Sequence, residues 1–134
     1  MTSMTMPTRR GFTLIELLIT VTVIAVLASI ALGKFSEVRE KAFVSTMKSD
    51  LKNLATQQEI FHNTSYSFTT SLASLEMVPS NGVSITITEA DGVGWAATAV
   101  HAGLLAEQCG LYHGDADPAN GSPGPAAGVV ACTY

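Results

Sequence analysis

One carboxylate, Glu16, sits inside an otherwise uncharged run that reaches from Phe12 to Leu32, 21 residues in all. A helix of that length extends ~31 Å, about the thickness of a bilayer's hydrocarbon core. An acid placed there costs on the order of 2.5 kcal/mol or more, so it is retained where it has a partner. Neither a plain membrane anchor nor a cleaved secretory signal needs such an acid. Arg9 and Arg10 stand just before Gly11, on the side that the positive-inside rule gives to the cytoplasm.

The other residues able to do chemistry are few. Cys109 and Cys132 fall in the half expected outside the cytoplasm, and an even count there favours a disulfide over two buried thiols. Such a bridge closes a segment worth on the order of 3 kcal/mol in loop entropy. His62, His101 and His113 are scattered singly and lack the spacing of metal ligands. Asp115-Ala116-Asp117-Pro118-Ala119-Asn120-Gly121 alternates oxygen ligands as a calcium loop does. It lacks the distal bidentate glutamate, and Asp, Asn and Gly are ordinary turn residues. No serine, cysteine or lysine has a base beside it in a recognisable motif, and no haem-attachment or phosphate-binding sequence is present. The sequence therefore offers no catalytic residue, no metal site and no cofactor, and the chain is read as not an enzyme.

The elements around these residues follow from periodicity. From Phe12 to Gly33 the helix is apolar nearly all round, as lipid or neighbouring helices require. From Lys34 to about Phe61 the helical period persists but becomes amphipathic. Val44, Met47, Leu51, Leu54, Gln58 and Phe61 step by three and four along one stripe, and Glu37–Lys41 forms an i,i+4 pair on the wet side. His62-Asn63-Thr64-Ser65 is the expected stop, with Asn63 in a left-handed cap. Tyr66 to Pro79 is a connection holding one helical turn around Leu72 and Leu75. Pro79 to Gly82 is turn chemistry, and Val83 to Thr88 alternates like a strand with one buried face. A loop over Glu89–Gly94 leads to strands at Trp95–His101, around Cys109–His113 and at Val129–Tyr134. The Gly-, Pro- and Ala-rich Gly114–Gly128 is a surface loop.

Arg9-Arg10-Gly11-Phe12-Thr13-Leu14-Ile15-Glu16 resembles the class III signal of type IV prepilins and of type II secretion pseudopilins. The resemblance covers about the first third of the chain. It implies cleavage between Gly11 and Phe12 by a prepilin peptidase, N-methylation of Phe12, and pairing of Glu16 with the terminal amine of a neighbouring subunit. That pairing is physically sound, because an amine and a carboxylate are each costly alone in hydrocarbon and lower each other's cost together. Many members carry a proline, associated with a kink or melted turn, where this sequence has Gly33. Glycine disfavours helix interiors by ~1 kcal/mol but keeps its N–H and forces no kink.

The resemblance further implies a pilin-like α+β fold, a long N-terminal helix packed on a small antiparallel sheet. The organisation expected is a leader at 1–11, a hydrophobic transmembrane and assembly helix at 12–33, an amphipathic helix at 34–62, and a head at 63–134 with a C-terminal disulfide loop. The function implied is that of a structural pilin, with identical subunits, the peptidase, an inner-membrane assembly platform and, before assembly, the membrane as partners. The chain would sit in the inner membrane first and on the cell surface afterwards. A type II secretion pseudopilin, a minor pilin, and a membrane-anchored enzyme or binding domain are the alternatives. Charge excludes one class: no Lys or Arg follows Lys52, against seven acids from Glu59 to Asp117. Such a surface repels phosphate backbones, so direct nucleic-acid binding is not expected.

Overall fold

A computed structural model of the protein describes residues 11–134. The expected leader therefore lies outside the described residues, Arg9 and Arg10 included, except for Gly11. The chain divides between Glu37 and Val38 into two units. The elements are α1 (Leu14–Ser65), β1 (Val83–Ala90), β2 (Trp95–His101), β3 (Leu104–His113), a 3-10 turn (Pro118–Gly121) and β4 (Ala131–Cys132).

In the first unit every residue from 11 to 36 is exposed. The apolar side chains of this part of α1 run from 52% exposed at Val23 to 88% at Leu14. By length and composition the helix is able to cross a membrane. The hydroxyls of Thr20 and Thr22 need no outside partner, since they donate to the carbonyls of Leu17 and Ile19 at 2.8 and 2.9 Å. Gly33 stays helical, which agrees with a residue that keeps its backbone donor.

The second unit, hereafter the head, is the α+β part. Its antiparallel sheet has the order β1-β2-β3-β4. The expected stripe on α1 is the stripe that packs: Val44, Met47, Leu51, Leu54 and Gln58 are buried, with Phe61 partly so. Against it the sheet presents Val83, Ile85 and Ile87 of β1, Trp95, Ala97 and Ala99 of β2, and Cys109 and Leu111 of β3. The two alanines sit at the middle of the central strand, where small side chains let the helix approach closely.

The elements depart from the sequence reading at their ends. The helix runs past Asn63 to Ser65, and Tyr66 takes the left-handed position instead, φ 53°. Tertiary contacts explain this, because the His62 ring stacks on Phe68 at 4.4 Å and its Nε2 meets the Gly92 carbonyl at 3.2 Å. The strand β3 begins at Leu104, five residues before the expected start, because a tight turn at Ala102–Gly103 returns the chain directly from β2. Leu104 to Gln108 does not alternate, and its burial is mixed, so periodicity carried no signal there. β4 shrinks to two residues paired with Gly110 and Cys109.

The segment 114–128 is more than a surface loop. It folds back over the sheet face away from α1, burying Ala96, Ala116 and Gly121. Contact there is backbone on backbone: a β-carbon on Gly110 would stand 2.2 Å from the Gly121 carbonyl oxygen. Glycine at both positions permits that approach.

Candidate processing and assembly site

The junction Gly11–Phe12 lies just outside the first helical turn, and residues 11–13 carry no regular structure. Among the described residues, no group comes within 4 Å of where a Gly11 side chain would be, and Phe12 is 77% exposed. A peptide bond cut by a protease must be reachable and free of the helical hydrogen-bond ladder, and this one is both.

Immediately downstream, Thr13 and Glu16 close a reciprocal cap. The Thr13 backbone N–H and its hydroxyl both donate to Glu16 Oε2, at 2.9 and 2.8 Å. The Glu16 N–H returns a bond to Thr13 Oγ1 at 3.3 Å, and Leu17 N–H donates to the Thr13 carbonyl at 3.2 Å. This is a capping box with threonine at the N-cap and glutamate three residues on. An acid in the first turn also faces the positive end of the helix dipole. Both partners lie after the Gly11–Phe12 bond, so cutting that bond leaves the cap whole. The carboxylate is thereby held at the helix start, four residues from Phe12.

Comparison with known proteins bears on this region. The family model described as the prokaryotic N-terminal methylation motif matches residues 6–32. A type IV major pilin protein, PilA, of Myxococcus xanthus (strain DK1622) is 46% identical over 55 residues, which is 41% of this chain. Over that stretch the chain is similar to a type IV major pilin. The matched stretch spans 25% of that PilA's length.

The remaining candidate residues lie in the head. Cys109 and Cys132 are neighbours in the β3–β4 register and are joined by a disulfide. The histidines stay apart in their roles. His113 meets Glu59 at 3.5 Å, His62 meets the Gly92 carbonyl, and the buried His101 stacks on Phe43 at 3.9 Å while its Nδ1 accepts from Gly103 N–H at 3.0 Å. In the Asp115–Gly121 segment, Asp117 Oδ1 accepts from Ala119 N–H at 2.9 Å and caps the 3-10 turn. Glu89 Oε2 accepts from Asp117 N–H and Asn120 Nδ2 at 3.1 and 2.7 Å. Glu89 thereby ties the loop to β1, while Asp117 caps the turn within it.

Sequence reasoning missed two polar residues that hold the head together. Asp50 is 4% exposed on the packed side of α1, and its carboxylate accepts from Ser80 N–H and Ser80 Oγ, each at 2.8 Å. Gln58, placed on the apolar stripe by spacing alone, bonds the backbone of Thr69 at both ends of its amide. The signal for Asp50 was present, since it lies three residues after Met47 and four before Leu54 on the buried face.

Proposed function

We propose that the chain is a structural subunit of a type IV pilus, cut between Gly11 and Phe12, N-methylated at Phe12 and assembled through its apolar helix. The observation that carries the reading is the fully exposed apolar helix with one capped carboxylate directly after an open Gly-Phe junction. Left in water, that helix would aggregate; in a bilayer or among copies of itself it is satisfied. Exchange of lipid contacts for helix–helix contacts in an open-ended, head-to-tail packing produces a filament. Before assembly the chain sits in the inner membrane, and afterwards on the cell surface. Its partners are the peptidase, the assembly platform and other copies of itself, and its work involves no turnover. The disulfide-bounded, glycine-rich segment before the C-terminus favours a pilin over a major pseudopilin.

Glu16 separates the cap from the charge. Glutamine keeps the capping box but cannot neutralise an amine, whereas alanine loses both. Under this reading Glu16→Gln and Glu16→Ala both insert in the membrane and both fail to build filaments, scored by shearing and electron microscopy. Filaments of normal abundance from Glu16→Gln would show that only the cap matters and would remove the pairing role.

A further inference from the structure

The head carries two ends of opposite character. Where α1 stops, Tyr66 is left-handed and 82% exposed, a backbone state that disfavours any side chain with a β-carbon. Glycine or asparagine is the usual choice there, yet a tyrosine holds the position and turns its ring to solvent. Beside it, the carbonyl of Tyr66 packs against Gly92, and Val93 is 61% exposed. The acids Glu59, Asp91 and Asp115 lie at this end, and no Lys or Arg does. Hydrogen bonds from the Val93 and Gly94 amides hold the Asp91 carboxyl below its usual range, so its charge persists at neutral pH.

At the other end, Lys41, Val44, Ser45, Lys48 and Tyr134 line a cleft of about 290 Å³. Arg39 lies nearby, over the Phe43 ring, and all the cations of the head fall between Arg39 and Lys52 on α1. Lys41 and Tyr66 are 25 residues apart on or just beyond one helix, roughly 37 Å, so the two ends of one head cannot meet. A contact between them joins different copies head to tail, the type of interface that propagates.

We propose that the Tyr66–Val93 end of one copy docks against the Lys41–Lys48–Tyr134 cleft of a second copy, the Tyr66 ring entering the cleft and Asp91 facing its lysines. This assignment rests on the filament reading and names the surface that would stack the heads. Aromatic anchors in partly apolar clefts dominate such contacts, and charge complementarity sets their orientation.

The test uses full-length chains carrying one added cysteine each, Val93→Cys, which leaves the Tyr66 ring in place, and Ser45→Cys, expressed together and separately and oxidised mildly in membranes. The expected result is a mixed dimer several-fold more abundant than either dimer of a single variant, with peptide mapping placing the bond between the two substituted positions. A mixed dimer no more abundant than the others overturns the interface. Filament formation is scored separately by pelleting. Filaments without an enriched mixed dimer overturn the interface and leave the filament reading standing, and an enriched mixed dimer without filaments upholds the interface and counts against that reading. Tyr66→Gly guards against misfolding, because glycine accepts the left-handed backbone. With that variant, head-to-tail association falls several-fold while the thermal midpoint is unchanged or higher; unchanged association would remove the ring from the contact.

Discussion

The side-chain amide of Gln58 and the backbone of Thr69 form a closed pair: Gln58 Nε2 donates to the Thr69 carbonyl at 2.7 Å, and Thr69 N–H donates to Gln58 Oε1 at 3.1 Å. Gln58 is fully buried. The amide thus does for the connecting segment what a neighbouring strand does for a sheet, satisfying donor and acceptor together. It fixes the segment after Tyr66 against α1 without a secondary-structure element. Replacing Gln58 by leucine keeps the volume and strands both backbone groups, at a cost of about 2 kcal/mol or more. Chemical denaturation of the full chain in detergent checks this, and a midpoint equal to that of the parent would contradict it.

Asp50 anchors the next turn in the same manner. With alanine there, Ser80 loses the acceptor for both its N–H and its hydroxyl, and about 2 kcal/mol of stability goes with them. Because Val83 N–H in turn bonds the Ser80 carbonyl, hydrogen exchange should quicken first at Ser80 and Val83. Uniform loss of protection across the head would mean that the pair is not a local anchor.

How much of this was legible in the sequence depends on where the determinants lie. The apolar helix, the Gly11–Phe12 junction, Glu16 and the buried stripe are local patterns of spacing, and the structure lays them out as that spacing dictates. The β2 strand likewise has the expected bounds. What spacing did not carry is long-range. The position of Tyr66 follows from His62 stacking on Phe68, and the early start of β3 follows from a turn against Phe43. The fold-back of 114–128 depends on Gly110 and Gly121 meeting across the sheet. His62 and Phe68 are six residues apart, Phe43 and Gly103 sixty, and Gly110 and Gly121 eleven, and none of these separations is one that helix or strand periodicity reads.

That fold-back makes Gly110 sensitive to the smallest change. Alanine there would set its β-carbon against the carbonyls of Gly121 and Ser122, both backbone atoms. The loop must lift or the strand must bend, and the expected loss is about 1–3 kcal/mol, as for other overpacked sites. Limited proteolysis should cut Gly110→Ala within residues 114–128 faster than the parent; equal rates would show that the loop tolerates the methyl group.

Asp91 gives the head a pH dependence at the acid end. Its folded-state pKa lies below the ordinary value of 3.8 because two backbone amides donate to the ionised form. A depressed carboxylate contributes stability that is present above the unfolded pKa and is lost as the pH falls through the folded one. Stability should therefore decline with acidification below about pH 4, and less steeply in Asp91→Asn, whose amide oxygen still accepts but does not titrate. A side-chain carboxyl titration by NMR reading at or above 3.8 for Asp91 would contradict the geometry.

Cutting the Cys109–Cys132 bond should cost on the order of 3 kcal/mol, since β4 otherwise holds to β3 through two paired residues and the bonds of Thr133 to Glu107 and Gln108. Cys132→Ser should lower the amount of chain recovered from membranes. Undiminished yield and an unchanged denaturation midpoint would show that the short strand suffices.

If the chain works as a processed subunit, the protein sheared from cells has the intact mass of residues 12–134 with one methyl group added at Phe12 and two hydrogens absent for the disulfide. A sheared protein that still begins at Met1, or one that begins near Gly33, would contradict it.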